Sequence, residues 1–100
     1  MVCNLISAAQ VTVATSGTEQ PVVAADVQKV VVLYLSAPST NTTAIVVGGS
    51  NVSTTIGALI EKGTTLKIEA PQGEFLDIRN IFVDTATNGD KVNVAYLVKV

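Results

Sequence analysis

The residues best placed to do chemistry are Asp84, Asn88 and Asp90, in the run Asp84-Thr85-Ala86-Thr87-Asn88-Gly89-Asp90. Their oxygens are hard ligands, and around a glycine turn they make a weak calcium candidate. Where a third carboxylate would be expected there is Ala86, and no terminal bidentate Glu follows. Asn88-Gly89 is also a strong hairpin signal, because both residues accept positive φ. The run therefore reads first as a turn between strands, and no metal is assigned.

The rest of the chemistry is sparse. There is no His and no Trp, which removes the commonest general base and the commonest metal ligand. With Cys3 as the lone cysteine, neither an internal disulfide nor a zinc set can be built. Glu61, Glu69, Glu74, Asp77 and Asp90 stand beside expected turns, where solvated charge is the plain expectation. Gly48-Gly49-Ser50-Asn51 lacks the second glycine of a nucleophile elbow and any histidine to activate its serine. It also lacks the Lys-Ser or Lys-Thr pair and following helix of a phosphate loop. The sequence thus points to a protein that is not an enzyme and carries no cofactor.

Six basic and eight acidic residues are scattered singly, with no run that could neutralise a series of phosphates or hold an anionic membrane. Neither nucleic acid nor membrane is an expected partner. No stretch approaches the ~20 apolar residues of a spanning helix. MVCNLISAAQ lacks the basic start and long apolar run of a secretory signal, so synthesis in a reducing cytoplasm is expected. Asn41-Thr42-Thr43 and Asn51-Val52-Ser53 match the glycosylation pattern. Without a secretory route they read as chance matches in a Thr-rich chain.

Val, Thr and Ile supply 36 of the 100 residues, and β-branched side chains favour a pleated surface over a helix. Turn-forming clusters recur about every ten residues, the spacing of an antiparallel sandwich or barrel. Strands are expected at Gln10–Ala14, Val22–Ala24, Lys29–Leu35, Ala44–Val47, Thr65–Glu69, Ile78–Val83 and Lys91–Val98, with a short one near Val52–Thr55. Lys29–Leu35 is apolar on both faces, so it should be central or meet a partner. Ala24–Lys29 is helix-permissive but long enough for only one turn. The expected fold is all-β: a small antiparallel β-sandwich or jelly-roll-like barrel of about 7–8 strands in one domain, residues 1–100, with 1–9 as a candidate N-terminal arm.

From Ile45 onward the order of pieces resembles small virion proteins of tailed bacteriophages: the head decoration, head fibre and minor capsid (cement) proteins. The matching pieces are Val47-Gly48-Gly49-Ser50, the Ser/Thr patch Val52-Ser53-Thr54-Thr55, and Gly57 to Leu59 with Gly63, Leu66 and Ile68. Asp77-Ile78-Arg79-Asn80-Ile81-Phe82-Val83-Asp84 and the closing run Asn88 to Leu97 complete them. The likeness covers about the last 55 residues, and more loosely Val11 to Leu35. Two departures touch loop shape: Glu61-Lys62 replaces the usual Pro before the turn glycine, and APQGEF lengthens the following loop.

The resemblance implies a homo-oligomer, trimer favoured over dimer, that binds the major capsid protein on the outer surface of the virion and braces neighbouring subunits. The alternatives are a structural module of a phage tail or fibre and, more remotely, a carbohydrate-binding module, for which aromatic platforms are lacking. The candidate protein-contact residues are Val2, Leu5, Ile6, Leu97 and Val100 in the apolar termini, and the neutral patch Asn51, Val52, Ser53, Thr54 and Thr55.

Overall fold

In the last strand, apolar residues alternate with polar ones, and the two sets point to opposite faces. Val92, Val94 and Tyr96 are buried while Lys91, Asn93 and Lys99 are exposed. The computed structural model describes residues 3–23 and 27–99. Its strands are β1 (Cys3–Thr12), β2 (Gln20–Pro21), β3 (Val30–Ser36), β4 (Ile45–Gly48), β5 (Ala58–Ile60), β6 (Thr65–Glu69), β7 (Phe82–Thr85) and β8 (Lys91–Lys99), with a 3-10 turn at Ile78–Asn80.

They form two four-stranded antiparallel sheets, ordered β1-β8-β3-β6 and β2-β7-β4-β5. The pairs β1–β8, β2–β7, β3–β6 and β4–β5 are those of one long hairpin rolled over on itself, the jelly-roll form of the sandwich. Val30, Leu33 and Leu35 of β3 face Ile45 and Val47 of β4 and Val83 of β7 across a core of small branched side chains. β3 is central, as its two apolar faces require. Its inner residues Leu33 and Leu35 are fully buried, whereas Val32 and Tyr34 on the outer face are only half-buried.

Several expected boundaries shift. β1 starts at Cys3 and pairs with β8 along its length, so residues 3–9 are strand and the apolar termini close on each other: Leu5 lies opposite Leu97 and Ile6 opposite Tyr96. Val22–Ala24 is replaced by the two-residue β2 just before it, and Ala24 lies outside the described residues, as does part of the expected helical turn. Ile78 belongs to the 3-10 turn, which buries it completely, and the strand begins at Phe82 and runs on through Asp84 and Thr85. Val52–Thr55 is a turn, and the strand in this region is β5.

The segment between β4 and β5 folds back over the outer face of its sheet. Val52, 5% exposed, packs on Gly48, where an added Cβ would stand 3.2 Å from it. Gly57 has φ +141°, and a Cβ there would lie 2.6 Å from the Val47 carbonyl oxygen and 2.7 Å from Val46 Cγ1. Only glycine lets the backbone approach this closely. This covers Val46, which points away from the core yet is 3% exposed.

The rolled path separates the connections. Those after β1, β3, β5 and β7 meet at one end, while those after β2, β4 and β6 share the other with the start of β1 and the close of β8. Gly57→Ala should lower unfolding free energy by about 3 kcal/mol, from strain and from contact with Val47. Gly73→Ala, also at positive φ but with nothing within 4 Å, should cost about 1 kcal/mol. Urea denaturation of the two variants measures the difference.

Candidate functional site

Buried polar side chains gather at the first of these ends. Asp90, 5% exposed, follows the β7–β8 turn and points at the loop between β3 and β4. Its Oδ1 accepts from Thr42 N at 2.9 Å, and its Oδ2 from Thr43 N at 2.9 Å, Thr43 Oγ1 at 3.0 Å and Thr85 Oγ1 at 3.2 Å. Thr43 Oγ1 also lies 3.1 Å from the hydroxyls of Thr85 and Thr87. A hydroxyl has one proton, and the carboxylate is the strongest acceptor in reach. Burial works to raise the Asp90 pKa, but the N–H groups of Thr42 and Thr43, then the hydroxyls of Thr43 and Thr85, outweigh it and hold the carboxyl below its ordinary value.

Asn41, in the same loop, docks as a side-chain stand-in for a strand neighbour. Its Nδ2 donates to the Lys91 carbonyl at 2.7 Å, and its Oδ1 accepts from Lys91 N at 2.9 Å. Being 6% exposed, it is closed to glycosylation in the folded chain. The β1–β2 loop is held from the other side of the sheet. Val83 points into the core, so Asp84 points outward; its Oδ1 accepts from Gly17 N at 3.0 Å and Thr85 N at 2.8 Å. Asn88 Oδ1 accepts from Ser16 N at 2.7 Å, and Gly89 N donates to the Val13 carbonyl at 2.8 Å. Gly63 N to the Ala37 carbonyl, 2.6 Å, ties in the fourth loop. All four connections at this end are clamped together.

The calcium candidates therefore have other partners. Asp90 faces the β3–β4 loop, while Asp84 and Asn88 face the β1–β2 loop. No group of three or more His, Cys, Asp or Glu that could hold a metal is found among the described residues. The expectation of a solvated Asp90 is corrected: its backbone donors, Thr42 and Thr43, sit almost fifty residues away in sequence, and the rolled sheets bring them together. One atom stands out, since Asp84 is fully buried and its Oδ2 has no hydrogen-bond partner.

The opposite end is unlike it. Leu5 (62% exposed), Ile6 (37%), Ile56 (58%) and Phe75 (48%) all belong to segments that terminate there, and Leu59 (62%) follows on β5. Hollows of about 390 and 270 Å³ flank Phe75, the larger also lined by Val31, Pro71, Glu74 and Lys99, the smaller by Lys29, Asp77 and Arg79. Asn51 and Thr55 are exposed, and Ser53 and Thr54 are half-buried. Ser53 Oγ fixes the turn by accepting from Thr55 N at 3.3 Å and Ile56 N at 3.1 Å.

Most of the proposed contact residues thus lie at one end. Leu5, Ile6, Leu97 and the Asn51 to Thr55 turn share it, with Leu97 half-buried between Leu5 and Val32. Val52 is a correction: it is buried against the chain's own glycines and presents no surface. Val2 and Val100 lie outside the described residues. Ile56, Leu59 and Phe75 were not singled out from the sequence, although an apolar residue beside a turn glycine or within APQGEF is a visible signal. Compared with known proteins, the chain matches no family model, no curated protein and no solved structure.

Asp90→Ala should lower stability by about 3 kcal/mol, because two backbone N–H groups lose their acceptor. The pH dependence has a fixed sign. The folded carboxyl binds its proton less readily than the unfolded one, so its stabilisation is complete above about pH 4 and is lost as pH falls through the lowered folded value. Asp90→Asn should flatten that decline in urea titrations run from pH 6 to pH 2.

At Asp84 the two variants should diverge. Asp84→Asn keeps an oxygen for Gly17 N and Thr85 N and should stay within about 1 kcal/mol of wild type, whereas Asp84→Ala leaves both donors without it and should lose about 2 kcal/mol. Thermal denaturation at neutral pH separates them.

Proposed function

We propose that this chain is a non-enzymatic structural protein of a tailed-bacteriophage virion, which binds the outside of the capsid and braces contacts between major capsid subunits. The resemblance over Val47 to Leu97 supplies the class. The observation that carries the reading is the contrast between the ends: Ile56 and Phe75, with Leu5 and Ile6, leave apolar surface on one end of the sandwich, while the buried polar groups of the other end bond to the chain's own loops. Exposed apolar side chains gathered in one region mark a protein-contact surface.

Binding of this kind works by avidity. A copy that touches two shell subunits combines two modest contacts, and self-association multiplies them further without any new chemistry. The sparse, scattered charge fits contact with protein rather than with packaged nucleic acid. The protein would be made in the host cytoplasm and end on the capsid surface.

Purified protein mixed with expanded heads that lack it should pellet with them. Ile56→Asp and Phe75→Asp, both at exposed positions, should weaken pelleting at least tenfold with an unchanged melting temperature; Lys62→Glu, on the clamped end, should not. Wild-type protein left in the supernatant at micromolar concentration would contradict the reading. Pelleting with isolated tails instead would assign the chain to a tail or fibre.

A further inference from the structure

The two sheets present four edges, and three are blunted in ways that discourage pairing with another chain. β2 is two residues long and ends in Pro21; β5 has three residues. β6 carries Lys67 and Glu69, which pair at 2.6 Å with side chains more than half exposed. β1 differs. It is ten residues long, and Cys3-Asn4-Leu5-Ile6-Ser7-Ala8-Ala9-Gln10-Val11-Thr12 contains no charge and no proline. Its ladder with β8 shifts register between Ser7 and Ala9, the one blunting feature it carries, and is regular from Cys3 to Ser7 and from Ala9 to Thr12.

β1 also overhangs its surroundings. In the rolled path it lies over β2, whose two residues can cover little of it. Ile6 shares the inner row with the buried Tyr96, yet remains 37% exposed. On the outer row Leu5, 62% exposed, leads into the half-buried Leu97 and Val32. Among the described residues no strand pairs with the outer edge of β1, and apolar side chains on both of its faces are exposed beside it.

We propose that β1 pairs antiparallel with β1 of a second copy about a two-fold axis, joining the two four-stranded sheets into one of eight strands. A two-fold contact sets a surface against itself, so the strand must tolerate its own sequence run backwards. An uncharged strand does so in every register, because no like charges can meet. Paired over its ten residues the contact is about 33 Å long, and Leu5 and Ile6 add apolar burial on its two faces. The pairing goes beyond the capsid reading and does not depend on it; it takes up Leu5 and Ile6 and leaves Ile56 and Phe75 for the shell.

Light scattering on the chromatographed free protein at about 100 μM should give twice the 10.3 kDa chain mass. Leu5→Lys should return the mass to that of one chain with the fold intact, and Leu59→Lys, an equally exposed leucine on β5, should leave the dimer. Alternate backbone amides within Cys3–Thr12 should exchange at least tenfold more slowly in wild type than in Leu5→Lys. A wild-type mass of one chain or of three, or a dimer that survives Leu5→Lys with unchanged exchange, would overturn the proposal.

Discussion

Asp90 accepts hydrogen bonds from Thr42 and Thr43, 48 and 47 residues earlier in the chain, and this contact fixes how the two sheets meet. Each connection at that end passes from one sheet to the other, so closing the roll requires loops far apart in sequence to be held in one place. Such closure carries an entropic cost that local turn preference cannot meet. A buried carboxylate facing two backbone N–H groups and two hydroxyls meets it, and Asn41 repeats the device on Lys91. Asp84 and Asn88 do the same for the β1–β2 loop.

Where residues alternate strictly, the sequence was legible. The expected Thr65–Glu69 coincides with β6, and Lys91–Val98 differs from β8 by one residue. Where long-range contacts override the local pattern, it was not. Ile78 and Ile81 look like strand residues, but Ile78 is buried from a 3-10 turn, and β7 continues through an aspartate whose Gly17 donor lies 67 residues away. β5 escaped notice because Ala58-Leu59-Ile60 is too short to show any period. The buried state of Asp90 was equally invisible, since a carboxylate after Asn-Gly looks solvated until its donors are located.

The glycines from Gly48 to Gly63 belong to the same account. Gly57 permits close approach to Val47, and Gly48 receives Val52, so the neutral segment expected as a short strand is a turn folded onto the sheet, with Ile56 exposed beside it. The same close packing that removes Val52 from the surface leaves Ile56 as its apolar point. Fold and candidate surface are in this sense one feature: one end ties its loops together through buried polar groups, and the opposite end carries apolar side chains that the core did not absorb.

Hydrogen exchange on the protein bound to expanded heads, compared with the free protein, tests the division between the two ends most directly. Added protection is expected at residues 53–57 and 73–77 and none at 39–43 or 86–90. Protection concentrated on those clamped loops, or no difference anywhere on a chain that pellets with heads, would contradict it.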